Sequence, residues 1–239
     1  MTSVSDLRTL LIETSGNTGY VGLAVGNQLA QQATLATGRQ HIRDLMPQCQ
    51  QLCQQQGWKP ADLQAIVVSA GPGSYTGLRV GIMTAKTLAY ALNIPLIGVP
   101  TFESLAWTTF QANPSLTSLT VIADGQQDKV YVQSIEHQSG DVPELFQTTS
   151  PLAIVPGEAW RSSLTAGTVI TGPGLVQQRQ LLPATVEILD ESYWHPTVPG
   201  LQHMGLIRWQ AKQFEDTFSL EPLYLRASSA EEQWAAMGK

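Results

Sequence analysis

Gly71, Gly73 and Gly77 fall within SAGPGSYTGLRVG, between the β-branched stretch Ala65-Ile66-Val67-Val68 and a helical pattern that continues to Asn93. A strand that ends in glycines and opens into a helix turns backbone amides toward an anion, which makes Gly71 and Gly73 candidate nucleotide contacts. No Gly-Lys-Ser/Thr follows, so this is not a P-loop, and the third glycine falls one place too late for a dinucleotide fingerprint. The same spacing serves equally well as a tight structural turn. Two acidic tips add to the candidate chemistry. Glu13-Thr14-Ser15-Gly16-Asn17 closes the strand-like Thr9–Ile12, and Asp124-Gly125 closes Leu119–Ala123. Carboxylates at such tips can position magnesium and a water against a phosphate, so Glu13, Thr14 and Asp124 join the candidate nucleotide set.

Other reactive residue types point to less. Cys49 and Cys53 lie one helical turn apart, a poor geometry for a structural disulfide, and two thiols are too few for structural zinc. They read as packing cysteines in a reducing cytosol. His137, His195 and His203 form no ligand spacing and read as surface or locally packed.

The elements that must position these residues follow from periodicity. Thr9–Ile12 and Tyr20–Val25 form a hairpin with Glu13 at its tip. Arg39 to Gln56 is a helix with Ile42, Leu45, Met46, Cys49, Leu52 and Cys53 on one face, which Pro47 kinks or trims and Gly57 ends. The helix that follows the glycine run is apolar or small nearly all round: one stripe is Leu78, Ile82, Ala85, Ala89 and Leu92, another Val80, Met83, Thr87 and Tyr90, with Arg79 and Lys86 its only charges. Such a helix is either central in a core or has an outer face that meets a partner. Further strands are expected at Pro95–Val99, Leu119–Ala123, Val130–Ile135, Val169–Ile170 and Val186–Leu189, and helices at Thr101–Gln111 and Leu201–Gln213. Glu221–Arg226 reads as extended, and 143–156 carries no clear pattern.

The pattern strand, acid, turn, strand occurs twice, as LLIETSGNTGYVGLAV and TVIADGQQDKVYVQSI, each followed by a strand ending in Gly-Pro-Gly. Two related halves facing a cleft would explain it. The boundaries expected are a loose leader at 1–8, a first lobe at 9–100, an abbreviated second lobe at 101–226 and a mobile tail at 227–239. At 239 residues the chain can bury a sizeable core. Its net charge of −6 argues against gripping nucleic acid by itself, and its apolar runs are too short and glycine-broken for a signal peptide or membrane span.

Together these residues resemble the TsaB (YeaZ) family of tRNA threonylcarbamoyladenosine synthesis. GPGSYTGLRVG at 71–81 is the specific match; Glu13-Thr14-Ser15, His41 with Leu45-Met46-Pro47, IGVPTFESLA and PLYLR corroborate it from about Leu10 to Arg226. The resemblance implies an α/β chain with the duplicated actin-like, sugar-kinase and Hsp70 (ribonuclease H-like) fold, in two lobes. It implies a cytoplasmic, non-catalytic partner of the threonylcarbamoyl transferase TsaD, assembled with the ATPase TsaE, reaching tRNA through the complex and pairing with itself when TsaD is absent. It also places the partner surface on the helices Arg39–Gln56 and Leu78–Leu92, with Leu45, Cys49, Leu52, Arg79, Val80, Met83, Thr87 and Tyr90 as contacts, and allows ATP or ADP at that interface.

Two departures bear on chemistry. The catalytic paralogue carries a His-x-x-x-His metal pair, whereas here Leu45 stands four residues after His41, and one imidazole cannot hold a catalytic metal alone. Where relatives commonly have Asp-Ala-Arg, this chain has Asp124-Gly125-Gln126, without the arginine. A competing reading is an independent ATPase or phosphotransferase with Glu13 and Asp124 on magnesium. A peptidase, the third, is disfavoured by the missing histidine.

Overall fold

The computed structural model describes residues 3–35, 40–137, 146–223 and 225, with 40–42, 146 and 147 described as backbone alone. Arg39, His41's side chain, Tyr224, Arg226 and the expected tail 227–239 therefore lie outside the described residues. Strands β1 (Arg8–Glu13), β2 (Tyr20–Val25) and β3 (Gln28–Thr34) form a meander. Helix α1 (Gln40–Gln55, with Pro47 inside it), β4 (Ala65–Gly71), helix α2 (Tyr75–Leu92) and β5 (Leu96–Pro100) complete the first sheet and one of its covers. Its strand order is β3-β2-β1-β4-β5, antiparallel through the meander and parallel at β1/β4 and β4/β5.

Helix α3 (Thr101–Ala112) leads to β6 (Ser118–Asp124), β7 (Lys129–His137), β8 (Phe146–Thr148) and β9 (Ala153–Pro156). Then come helix α4 (Gly157–Ser163), β10 (Val169–Thr171), helix α5 (Leu175–Gln178), β11 (Glu187–Ile188) and helix α6 (Val198–Gln210). The second sheet runs β8-β7-β6-β10-β11, with β9 also on β7. Antiparallel pairs lie at β7/β8 and β6/β7, parallel ones at β6/β10 and β10/β11. This is the same order and sense as the first sheet, so the fold is the expected duplicated, two-lobed α/β fold of the actin-like class.

Period-two alternation decides which layer each strand residue joins. Leu10, Ile12, Ile66 and Val68 face one way, into a core shared with Leu45, Cys49 and Leu52 of α1 and Ile82, Ala85 and Ala89 of α2. Leu11, Val67, Ile97 and Val99 face the other, against Val198, Leu201 and Met204 of α6. The first sheet is thus covered on both faces, which is why its central strands read as continuous apolar runs. In the second lobe, Phe102, Leu105 and Phe110 of α3 pack with Leu119, Val121 and Ile135, while Trp160, Leu175 and Trp194 cover Ile122, Val130 and Ile170.

Several expectations shift. The leader is not loose: Val4–Asp6 form a 3-10 turn and Leu7 is buried at 1% exposure. The division at 100/101 does not hold to the end of the chain. α6 and the segment after it return to the first sheet, through Glu215 N–H on the Leu96 carbonyl (2.8 Å) and Leu220 in the core. α6 begins at Val198 rather than Leu201, because Thr197 caps it through Gly200 N–H (3.3 Å) with a proline in its first turn. β3 is unanticipated, since Gln28–Thr34 buries no side chain fully and carries no apolar alternation. The described part of 221–226 forms no strand, although Leu223 N–H reaches the Ala70 carbonyl at 2.8 Å. Among the described residues no helix is long and apolar enough to cross a membrane.

The glycines of 71–81 have a packing role. α2 runs directly over the end of β1: a Cβ at Gly73 would meet the Ser15 carbonyl, one at Gly77 the Thr14 carbonyl, and one at Gly81 the Thr14 hydroxyl. Spaced four apart, all three lie on the inner side of one helix entrance, where only glycine lets backbone meet backbone. Gly77→Ala should destabilise the chain by about 3 kcal/mol, because overpacking outweighs the gain of roughly 1 kcal/mol in helix propensity. Urea midpoints check this, with exposed Thr87→Ala as a control that stays within about 0.5 kcal/mol.

Candidate functional site

A cleft of about 860 Å³ separates the lobes. The first lobe contributes Ser15, Gly73, Ser74 and Arg79, the second Asp124, Gly125, Gln126 and Pro173, with His195 at the wall. The two Gly-Pro-Gly turns face each other across it. The second repeats the construction of the first: Gly172 is at φ 115°, as Gly71 is at φ 105°, and Gly174 rests on the Ala123 backbone as Gly73 rests on Ser15.

Of the candidate nucleotide residues, only Gly73 and Asp124 line this cleft. Gly71 lies behind the turn, against Leu78 and Leu223. Thr14 is buried under α2 with its amide on Ser69 Oγ (3.3 Å) and its hydroxyl facing Gly81. Glu13 does not stand at an open tip. It is 0% exposed, and its Oε1 accepts from Ser15 N–H (2.7 Å) and Ser15 Oγ–H (2.6 Å), while Oε2 has no partner among the described residues. The carboxyl closes its own turn instead of facing a ligand, and Glu13 and Asp124 are not brought together.

The second tip is strained. Gln126, Gln127 and Asp128 take φ of 60°, 51° and 53°, a left-handed run of three non-glycine residues costing about 1–3 kcal/mol each. Asp124 Oδ1 accepts from Gln126 N–H at 2.8 Å at its start. At its end the Asp128 carbonyl accepts from Gly157 N–H (2.6 Å), and Asp128 Oδ1 accepts from Arg161 Nη1 (3.2 Å), which also donates to Gln178 Oε1 (2.6 Å). Arg161 and Gln178 thus hold the cleft wall, though neither stood out in the sequence; their helices are short, and no local spacing links them to the tip.

The partner candidates divide by side. Leu45, Cys49 and Leu52 are a correction: Leu45 is 1% exposed, and all three face the chain's own core, because the apolar face of α1 is the one that packs on β2, β3 and α2. Burial, with Cys53 adjacent, pushes the Cys49 thiol up to about 12 and raises Cys53 as well, so both stay protonated and unreactive. Val80 is half-buried against the same core. Arg79, Met83, Thr87 and Tyr90 are exposed along one line of α2, Met83 by 61% and Tyr90 by 67%. Arg79 donates to Tyr75 Oη (2.6 Å) at the cleft end of that line. The remaining histidines behave locally: His137 stacks on Phe110, and His203 on Trp107 with centroids 4.2 Å apart.

Burial raises the Glu13 carboxyl above its ordinary 4.5, outweighing the bonds from Ser15 that lower it. The folded state therefore holds this proton more tightly than the unfolded chain, and its contribution to stability falls as pH rises above 4.5 toward the folded value. In Glu13→Gln the amide oxygen can still accept from Ser15 and nothing titrates. The gap between variant and native stability should move in the variant's favour across that window, read from urea denaturation at stepped pH.

Comparison with known proteins agrees with this geometry. A family model described as TsaD, tRNA N6-adenosine threonylcarbamoyltransferase, matches residues 25–149, just over half of the chain. The tRNA threonylcarbamoyladenosine biosynthesis protein TsaB of Bacillus subtilis is 28% identical, over 94% of this chain and 96% of that protein. A tRNA N6-adenosine threonylcarbamoyltransferase of Anaeromyxobacter dehalogenans is 33% identical over 51% of this chain and 35% of its own length. The solved structure of YeaZ from Pseudomonas aeruginosa shares the fold at a TM-score of 0.78 and 21% identity, covering 92% of this chain and all of that one. With the glycine-backed α2, the paired turns and near full-length coverage all agreeing, the chain belongs to the TsaD family of that model and, within it, to the TsaB (YeaZ) family.

Proposed function

We propose that the chain is an accessory, non-catalytic subunit in cytosolic tRNA threonylcarbamoyladenosine biosynthesis. In this reading it docks through the outer face of α2 onto the catalytic relative TsaD, with the ATPase TsaE completing the assembly and tRNA reached through the complex. The observation that carries it is the exposed line Arg79, Met83, Thr87 and Tyr90 on the helix whose opposite side is fixed by glycines. Large apolar side chains held outward on a rigid helix fit a groove-and-helix contact better than they fit water. The names of the relatives supply the pathway. Leu45, where the resemblance puts a metal histidine in the catalytic paralogue, is a packed core residue, which favours a non-catalytic role. The charge of −6 leaves most of the tRNA contact to partners.

Without its partner, the same face would pair with a second copy. Tyr75 and Arg79 belong both to the cleft lining and to the start of the exposed line, so ATP or ADP at the partner interface would touch both. The independent ATPase reading has the cleft and Asp124 in its favour, but needs Glu13 to leave a site where it is fully buried.

Reconstitution with TsaD, TsaE, tRNA, ATP and the threonylcarbamoyl-adenylate generator, with and without this chain, tests the proposal. Modification should depend on the chain. Met83→Glu should leave its urea midpoint unchanged while weakening TsaD binding by roughly a hundredfold, since a charge would be buried unpaired. Equal modification without the chain, or strong hydrolysis of ATP by the chain alone that is lost in Glu13→Ala, would overturn it.

A further inference from the structure

The segment after α6 crosses the first lobe as a strap. It is anchored at one end by Glu215 N–H on the Leu96 carbonyl and at the other by Leu223 N–H on the Ala70 carbonyl, both at 2.8 Å. Between these, Lys86 of α2 donates from Nζ to the carbonyl oxygens of Phe218 and Leu220, each at 3.0 Å. Asp216 Oδ1 accepts the amides of Phe218 (2.8 Å) and Ser219 (2.9 Å). Leu220 is buried beneath, whereas Phe218 is held outside, 74% exposed, with its ring edge-on to Tyr90 at 5.4 Å. Burial of Leu220 accounts for the strap's stability. It does not account for a phenylalanine fixed by its own carbonyl and amide at the rim of an exposed tyrosine.

We infer that the strap is the second half of the docking surface, with Lys86 positioning Phe218 beside Tyr90 so that a partner meets one apolar strip of Met83, Tyr90 and Phe218. This rests on the docking reading above and extends it from a single helix to a helix and a strap. Arg79 lies toward the cleft end of the strip, roughly 16 Å of helix away from Tyr90, whereas Asp216 sits inside the strap, kept ionised by the amides it accepts and by the chain's own Lys86. The occupant that fits is an amphipathic helix of the transferase subunit, carrying an apolar stripe with a carboxylate opposite Arg79. Phe218 then has the setting of an interface hot spot: aromatic, paired with another aromatic, and fixed before binding.

The test uses the full chain and the TsaD subunit, with affinity measured by titration. Phe218→Ala should bind at least tenfold more weakly at an unchanged urea midpoint, because the ring is exposed in the free chain. Lys86→Met should speed hydrogen exchange at the amides of residues 218–223 about tenfold and weaken binding, and Lys86→Arg should restore both in part. If Met83→Glu abolishes binding while Phe218→Ala and Lys86→Met bind like the native chain, docking by α2 stands and the strap inference is overturned. If Met83→Glu also binds like the native chain, the docking reading fails, and this inference falls with it.

Discussion

The backbone contact between α2 and the Thr14–Ser15 turn is the constraint on which the other features depend. Gly73, Gly77 and Gly81 remove every side chain from one side of the helix entrance, so α2 seats on carbonyls and a hydroxyl of the first strand's end. Ser74 locks the seat in two ways: its amide donates to the Ser15 carbonyl at 2.7 Å, and its hydroxyl caps Gly77 N–H at 3.2 Å. A helix fixed in rotation by three glycines cannot roll. Its opposite side is fixed by the same contact, and that side carries Arg79, Met83, Thr87 and Tyr90. Packing inside the lobe and display outside it are therefore one decision.

The same contact changes what the glycine run can do chemically. Glycines before a helix commonly bare amides for a phosphate. Here two of the local donors serve the protein itself, and the acid that could share a cation is turned back onto Ser15. Glu13 stays uncharged more readily than an ordinary carboxylate because burial strips its charged form of water. Residue types alone do not separate an anion cradle from a helix seat. The separation lies in where the donors' partners are.

The sequence carried the strands and the repeat well, for a physical reason. Buried central strands such as β4 must be apolar on both faces, and the two acid-tipped hairpins announce themselves twice. It carried less where the deciding contact is distant. Periodicity showed that α1 has an apolar face with Leu45, Cys49 and Leu52, but could not say whether chain or partner covers it. α6 is near-apolar in sequence, yet only its seat on Leu11 and Val67 assigns it to the first lobe. The bonds from Arg161 to Asp128 and Gln178 span 33 and 17 residues, with no local pattern to betray them. β3, rich in glutamine and alanine at a sheet edge, holds its place by backbone bonding, with only Leu29 and Ala33 half-buried against the cores to mark it.

The duplication supplies a control within one molecule. Both lobes place a Gly-Pro-Gly turn after the parallel strand and rest its last glycine on the neighbouring strand's end. In the second lobe the helix that follows is α5, four residues long, and the lobe still closes its sheet and its core. In the first lobe it is α2, eighteen residues long. The topology therefore needs only the first turn of this helix. The rest of α2 has a face covering the first core and an outer face that, among the described residues, meets only the strap at Lys86 and Tyr90, and a chain gains no stability from holding Met83 in water. A helix longer than its fold requires, rotationally locked and carrying Met83 and Tyr90 on its outer side, is what the proposed docking reading needs. That asymmetry between otherwise matching lobes argues for a partner at α2 independently of any resemblance.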